Sequence, residues 1–193
     1  VVFGGAGRTG RVVVDAALEA GHPVTALVRR PGAFPSPPEG LRIEPGDAMD
    51  AGAVARAAAG ADAAICVLGV GDDAPATALS DAFASVVRAL EEAGPARLVD
   101  LLTVGVLLSK VNPEFAHVTE EHGRNLALLR ASGLDWLGVV APGITDDPAT
   151  GTVHVEVEHR GPSWEITRPD LARLLVREAV DPEHRHVVVG VSN

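Results

Sequence analysis

Val1-Val2-Phe3-Gly4-Gly5-Ala6-Gly7-Arg8-Thr9-Gly10 is a short apolar β-run that breaks into a glycine-rich turn, with a helical pattern starting at Arg8. Glycines at 4, 7 and 10 let the backbone turn tightly, approach a bound group closely and seat the new helix against the strand. The helix N-terminus adds unpaired N–H groups and the positive end of a dipole, both suited to phosphate oxygens. The stretch therefore predicts a dinucleotide-binding turn. A G-x-x-G-x-x-G spacing alone is a weak signal; the strand before it and the helix after it give the glycines their meaning.

Outward from this turn, Arg8 to Ala20 reads as a helix with Val13, Ala16, Ala17 and Ala20 on one face, stopped by Gly21. His22 to Val28 is a second strand, and it ends in Arg29-Arg30. An acidic residue about 20 positions past the glycines binds the ribose hydroxyls of NAD, whereas arginine accommodates a 2′-phosphate. Arg29, with no acidic neighbour beside it, together with Arg8, predicts NADP(H); an ordinary solvated loop start is the alternative reading. Pro31 to Gly40 is a Pro- and Gly-rich loop at the expected adenosine end, and Leu41 to Glu44 is a third strand. In Gly46-Asp47-Ala48, a carboxylate near the adenine and a helix cap at Asp47 or Asp50 are both open. An alanine-rich helix, Ala51 to Ala59, then leads to a fourth strand, Asp62 to Leu68, ended by Gly69 and Gly71 beside the cofactor crevice. A helix from Pro75 to Ala93 follows, with Ala78, Phe83, Val86, Val87 and Leu90 as its apolar face.

This alternation of strand and helix predicts an α/β fold, a Rossmann-like doubly wound parallel sheet that binds ligands at the carboxyl ends of its strands. Arg97 to Leu102 is the next strand, ending at Thr103-Val104-Gly105. Asp100 within it needs a partner or a position at a subunit contact, since an unpaired buried carboxylate is costly. On the helix Glu114 to Ala131, Phe115, Val118, His122, Leu126 and Leu129 recur at helical spacing, so His122 faces inward, either as a core histidine or as a functional one. Leu134 to Val140 is a sixth strand, ending in Ala141-Pro142-Gly143-Ile144. Thr152 to Glu158 alternates as a half-exposed strand does, and Ser163 to Thr167 reads as its partner. This pair predicts a small β appendage near the C-terminus of a single domain spanning residues 1–193. The substrate-side elements fall around 104–118 and 143–167. Arg168 to Ala179 is the last helix and His186 to Val189 the last strand. His154, His159, His184 and His186 share no ligand spacing and read as solvated, so no metal is expected.

Composition narrows the function. In 193 residues with a formal charge of −10, nothing offsets repulsion from nucleic-acid phosphates or an anionic membrane, so a small molecule is the expected partner. The single cysteine, Cys66, lies in an apolar run, which excludes a disulfide framework and fits a reducing cytoplasm. No apolar run is long enough for a bilayer span. The chain begins inside a strand without Met, so a few residues are expected before Val1.

Several stretches together resemble the atypical short-chain dehydrogenase/reductases of the NmrA-like group, its flavin-reductase branch above all. They are Gly4 to Gly10, Val28-Arg29, Gly46-Asp47, Leu68-Gly69, Thr119-Glu120-Glu121-His122, Leu129 to Leu134, and Arg160-Gly161-Pro162-Ser163. The resemblance implies Gly4, Gly7, Arg8, Thr9 and Gly10 at the pyrophosphate and Arg29 at the 2′-phosphate. It also implies Asp47 and Ala48 by the adenine, Leu68 and Gly69 by the ribose, and Pro142 and Gly143 on the cofactor side of the sixth strand. The catalytic half departs from the family. The usual Tyr and Lys are absent, for the chain has no tyrosine, and Val118 and His122 stand at their positions. Thr103 replaces the family serine. Gly143 stands where the flavin reductases have a histidine, Leu108 where they have a tryptophan, and Trp164 where they have an arginine.

What the resemblance and these departures predict is an NADPH-dependent reductase transferring hydride to a flavin, quinone or enone, a planar conjugated acceptor. Thr103 and His122 would give polar help, with Val104, Leu108, Val118 and Trp164 lining the pocket. Such acceptors delocalise the incoming charge and need no strong acid. Two alternatives stand beside it: a non-redox isomerase, cyclase or dehydratase with NADP as a structural group, and a non-enzymatic NADP-sensing regulator. A monomer or small homo-oligomer is expected.

Overall fold

The computed structural model describes residues 1–69 and 75–193. Gly71, read above as ending the fourth strand, lies outside the described residues.

The apolar runs pair as strands β1 (Val2–Phe3), β2 (Val24–Val28), β3 (Leu41–Pro45), β4 (Ala63–Cys66), β5 (Arg97–Thr103) and β6 (Asp135–Ala141). With β10 (Val187–Ser192) and β8 (His154–Val157) they form one eight-stranded sheet in the order β3-β2-β1-β4-β5-β6-β10-β8. All neighbours are parallel except β8, which runs antiparallel to β10. The central strands are buried on both faces, which is why β6 reads Trp136-Leu137-Gly138-Val139-Val140 without alternation. From β1 the chain winds outward to β2 and β3, then returns past β1 to β4. The order reverses at the β1/β4 seam, and the crevice outside the strand ends opens there.

Helices cover both faces. α1 (Arg8–Glu19) and α5 (Arg168–Val180) pack on one, where Val13, Val14, Ala17, Leu171 and Leu175 meet Val2, Ile65 and Val99. α2 (Ala51–Ala58), α3 (Ala78–Ala93) and α4 (Ala116–Ala131) cover the other, with Val54, Phe83, Val86 and Leu129 closing on Phe3, Leu98 and Val140. Asp50, not Asp47, caps α2, accepting from the N–H groups of Gly52 and Ala53 at 2.9 and 3.3 Å. The loop after β2 is tied to α1 by Arg11, whose guanidinium lies 4.7 Å from the centre of the Phe34 ring.

Four sequence expectations change. The buried stripe of α1 is Gly10, Val13, Val14 and Ala17, while Ala20 is exposed beyond the helix end. α3 begins at Ala78 rather than Pro75, after a turn. Phe115 is 54% exposed, because residues 113–115 form a separate 3₁₀ turn that sets this ring off the inward stripe of α4. The largest change is in the appendage. β8 does not pair with the segment around 163–167; it joins the edge of the main sheet through β10, with Gly190 opposite Glu156. The small second sheet instead joins β7 (Gly143–Thr145) to β9 (Glu165–Thr167) in parallel. Alternation identified a half-exposed strand, and strict alternation carries no information about which neighbour it finds.

Candidate functional site

Gly4 follows β1 with φ +86°, a left-handed conformation that side chains avoid, and a Cβ there would lie 2.6 Å from the carbonyl oxygen of Val67. A Cβ on Gly10 would come within 2.1 Å of the Gly4 carbonyl oxygen. The turn and the first coil of α1 therefore nest in a way only glycine permits at either position. The result is a backbone cradle at the β1/β4 seam, roofed by the N-terminus of α1, and Gly7 at the helix N-cap offers no side chain to block it.

The cradle opens into a cleft of about 1140 Å³ along the carboxyl edge of the sheet. Gly4, Gly7, Arg8 and Thr9 line its middle, and Arg29, Asp47 and Ala48 line the β2/β3 side. Asp47 accepts from the Met49 N–H at 3.0 Å, which orders the 46–49 turn at the cleft wall. Leu68 and Gly69 border the seam, and Thr103, His122 and Pro142 lie on the β5/β6 side. Two of the cofactor residues expected from the sequence do not line the cleft. Gly10 is buried beneath the turn as its packing partner, and Gly143 donates to the Trp164 carbonyl at 3.0 Å in the β7/β9 pairing.

None of the four expected pocket walls lines the cleft. Val104 packs into the core below α4. Leu108 lines a separate groove on the outer flank of α4, with Val106, Thr119 and Leu126. Val118 is half-buried away from the cleft, and Trp164 is 53% exposed with the Arg160 guanidinium 4.3 Å from its ring centre. The 3₁₀ turn at Val104–Leu107 redirects the chain after β5, carrying Leu108 around the helix. The apolar walls beside Thr103 and His122 come from Leu79, Ala82, Leu102, Ala141 and Ile144.

His122 is the buried polar group at this end. It is 9% exposed, and its Nδ1 has no hydrogen-bond partner. Burial pulls its pKa down to about 4, against a smaller opposing effect of Glu121, so the ring is neutral near pH 7. Glu121 beside it is fully buried and ties two helices together, accepting from the N–H groups of Leu79 and Ser80, each at 3.0 Å. It also accepts from the Ser80 hydroxyl and from Arg124. Burial pushes the Glu121 pKa up, but these hydrogen bonds outweigh it and hold the carboxyl ionised. α3 is thus capped by a carboxylate from α4, a contact between distant segments that sequence spacing does not signal.

One further residue at the cleft, Arg168, carries no signal in the sequence beyond its place at a helix start. Arg168 opens α5 and is 6% exposed, yet it lines the cleft. It donates through Nη1 to the Thr9 hydroxyl and through Nε to Asp146, each at 2.6 Å. Asp146 in turn accepts from Arg8 at 2.7 Å. Hydrogen bonds from Arg168 and then Arg8 hold its carboxyl below the usual range.

His184 is not simply solvated, since its Nδ1 lies 2.7 Å from buried Glu178, which also accepts from the N–H groups of Glu183 and His184. Glu178 sits 3.6 Å from the Arg97 guanidinium as well. This cluster staples the end of α5 to β5 at the opposite edge of the sheet.

A glycine cradle at the switch point of a parallel sheet, opening onto a helix N-terminus and lined by arginines, defines a dinucleotide-binding protein of the Rossmann class. The chain belongs to the NAD(P)H-binding family, which it matches over residues 4–182. Its cofactor is accordingly a nicotinamide dinucleotide, held on a Rossmann-like α/β fold. Similar solved structures include an NAD-dependent epimerase/dehydratase candidate from Bacillus halodurans, at 21% identity and TM-score 0.88, covering 100% of this chain and 92% of that one. An anaerobilin reductase from Escherichia coli O157:H7 matches at 24% identity and TM-score 0.85, over 99% of this chain and 95% of its own. A candidate NADH-flavin reductase from Streptococcus pneumoniae matches at 21% identity and TM-score 0.85, over 100% and 97%. None of the described helices is long and apolar enough to cross a membrane.

Proposed function

We propose that this protein is an NADPH-dependent reductase that delivers hydride to a planar conjugated acceptor of the flavin, quinone or enone type. The observation that carries the reading is the make-up of the cleft beyond the cradle: apolar walls, one hydroxyl at Thr103, and a histidine held neutral by burial. A simple ketone needs an acid positioned at its developing alkoxide, whereas a conjugated acceptor spreads that charge through its own π-system. A neutral imidazole and a threonine hydroxyl suit the second.

The residues divide the work by position. The backbone around Gly4 and Gly7 holds the pyrophosphate, and Arg29 the 2′-phosphate. No carboxylate lies within ion-pair distance of Arg29 among the described residues, so its charge is available to a phosphate. Asp47 and Ala48 border the adenine, and Leu68 and Gly69 the ribose. When bound, the nicotinamide supplies the hydride. Leu79, Leu102, Ala141 and Ile144 exclude water and press the acceptor ring flat, and Thr103 and His122 donate hydrogen bonds to its heteroatoms. Protonation follows from Thr103 or from water at the open mouth of the cleft.

NADPH consumption with flavins, quinones and enones, set against simple ketones, tests this reading. The expected result is turnover confined to the conjugated set. Tight NADPH binding with no turnover of any of them, or preferred turnover of ketones, would overturn it.

A further inference from the structure

Arg168 is a buried arginine from the far end of the chain that reaches the phosphate cradle. We propose that Arg168 is a binding residue for the dinucleotide pyrophosphate. The inference rests on the family reading that the cleft holds a nicotinamide dinucleotide.

Geometry and charge support this assignment. A guanidinium has a rigid fork of five N–H donors. Nε is held by Asp146 and Nη1 by the Thr9 hydroxyl, each at 2.6 Å, so the fork is fixed in orientation. Nη2 has no partner among the described residues, and the side chain borders the cleft. Thr9 lies in the first turn of α1, one residue past Arg8, where the helix offers its unpaired N–H groups. The guanidinium held at that point through Nη1 adds a full positive charge to a partial one. Burying an arginine against a single exposed carboxylate is costly unless further acceptors satisfy its donors. Two phosphate oxygens at the α1 N-terminus are acceptors of the required kind, since planar bidentate recognition of phosphate is what arginine does best.

The competing account is that Arg168 only clips the Asp146 loop to α1. The two accounts give opposite signs for Asp146. If Arg168 binds phosphate, Asp146→Asn removes a rival negative charge from both Arg8 and Arg168, and affinity stays level or tightens. If Arg168 is a clip, Asp146→Asn breaks it as surely as Arg168→Gln does, and the two variants weaken binding alike.

Calorimetry with NADPH, NADH and ADP on the wild type, Arg168→Gln, Arg168→Lys and Asp146→Asn makes the comparison, with thermal melting alongside. Arg168→Gln is expected to weaken all three ligands by about tenfold or more, the worth of a charged hydrogen bond. The effect should be independent of the 2′-phosphate, and Asp146→Asn should lose no affinity. Where Arg168→Gln does not fold, Arg168→Lys, which keeps the charge and loses the fork, still weakens ADP relative to Asp146→Asn. Equal losses in Arg168→Gln and Asp146→Asn overturn the proposal, as does unchanged ADP affinity in Arg168→Gln. A wild type that binds neither NADPH nor NADH overturns the dinucleotide reading itself, and the assignment with it.

Discussion

Asp100→Asn should stabilise this protein at neutral pH and leave it unchanged in acid. Asp100 lies in mid-β5 with 1% exposure, beside buried Cys66 on β4, and receives one long hydrogen bond of 3.5 Å from the Asn125 amide. Burial pushes its pKa up to about 8, only partly opposed by hydrogen bonds from Cys66 and Asn125. The carboxyl is therefore neutral in the folded chain across a range where the unfolded chain ionises it. Its contribution is fully present below the unfolded pKa near 4, and it is lost progressively as pH rises toward 8. Each pH unit in that window costs roughly 1.4 kcal/mol, so about 4 kcal/mol is forfeited by pH 7. Asparagine has the same shape and never ionises. Its amide can also donate toward Asn125 Oδ1, which is buried without a partner. For a chain of this size the gain corresponds to a rise in Tm of roughly 10 °C at pH 7, shrinking to nothing near pH 4. Thermal melts of both proteins from pH 4 to 8 measure the difference directly, since every other titrating group cancels. A constant difference across the range, or a less stable variant at pH 7, would refute the reasoning.

Other outcomes follow from the cleft. Arg29→Gln is expected to cost about 10- to 100-fold in NADPH affinity and leave NADH affinity unchanged, measured by calorimetry; equal losses for both would remove the 2′-phosphate assignment. In Gly10→Ala the added methyl meets the Gly4 carbonyl oxygen at 2.1 Å, so the turn must shift. Denaturant unfolding should show a loss of about 1–3 kcal/mol, accompanied by loss of cofactor binding. Because His122 titrates near pH 4, hydride transfer should show no inflection from this ring between pH 5 and 8; an inflection there that vanishes in His122→Gln contradicts a neutral histidine. Leu108→Ala and Trp164→Ala should leave kcat/KM for the acceptor unchanged, since neither side chain borders the cleft.

How far the sequence carried depends on the range of the interactions involved. The glycine turn and the alternation of strand and helix are local, governed by backbone freedom and by the period of the apolar residues, and both were legible from composition and spacing. Asp47 and Asp50 are told apart as caps only by their hydrogen bonds, Asp50 accepting from Gly52 and Ala53 and Asp47 from Met49. The pairing of β8 with β10 and of β7 with β9 joins segments whose partners no local pattern names. Of the misplaced pocket residues, Val104 and Leu108 trace to one event: the 3₁₀ turn after Thr103 takes up the first and carries the second to the outer flank of α4. Glu121 and Arg168 were unreadable for a related reason. Each looks like an ordinary charged helix residue, and only tertiary contacts show that one caps a neighbouring helix and the other reaches the phosphate turn.

The two outer strands carry one more consequence, for behaviour in concentrated solution. An open sheet leaves a row of unpaired N–H and C=O groups at each side, a template on which another chain can add a strand. On one side, β3 is five residues long, ends in Pro45, and carries Arg42 and Glu44, with Glu44 pairing both with Arg42 and with Arg56. On the other, β8 has four residues, with His154 and Glu156 exposed. Short length, a proline that cannot donate, and charges that would be desolvated by an incoming strand make both borders poor seeds for aggregation. With a formal charge of −10 adding long-range repulsion between molecules, the folded protein should resist fibre formation, leaving denaturation as the route by which its valine-rich central strands become sticky.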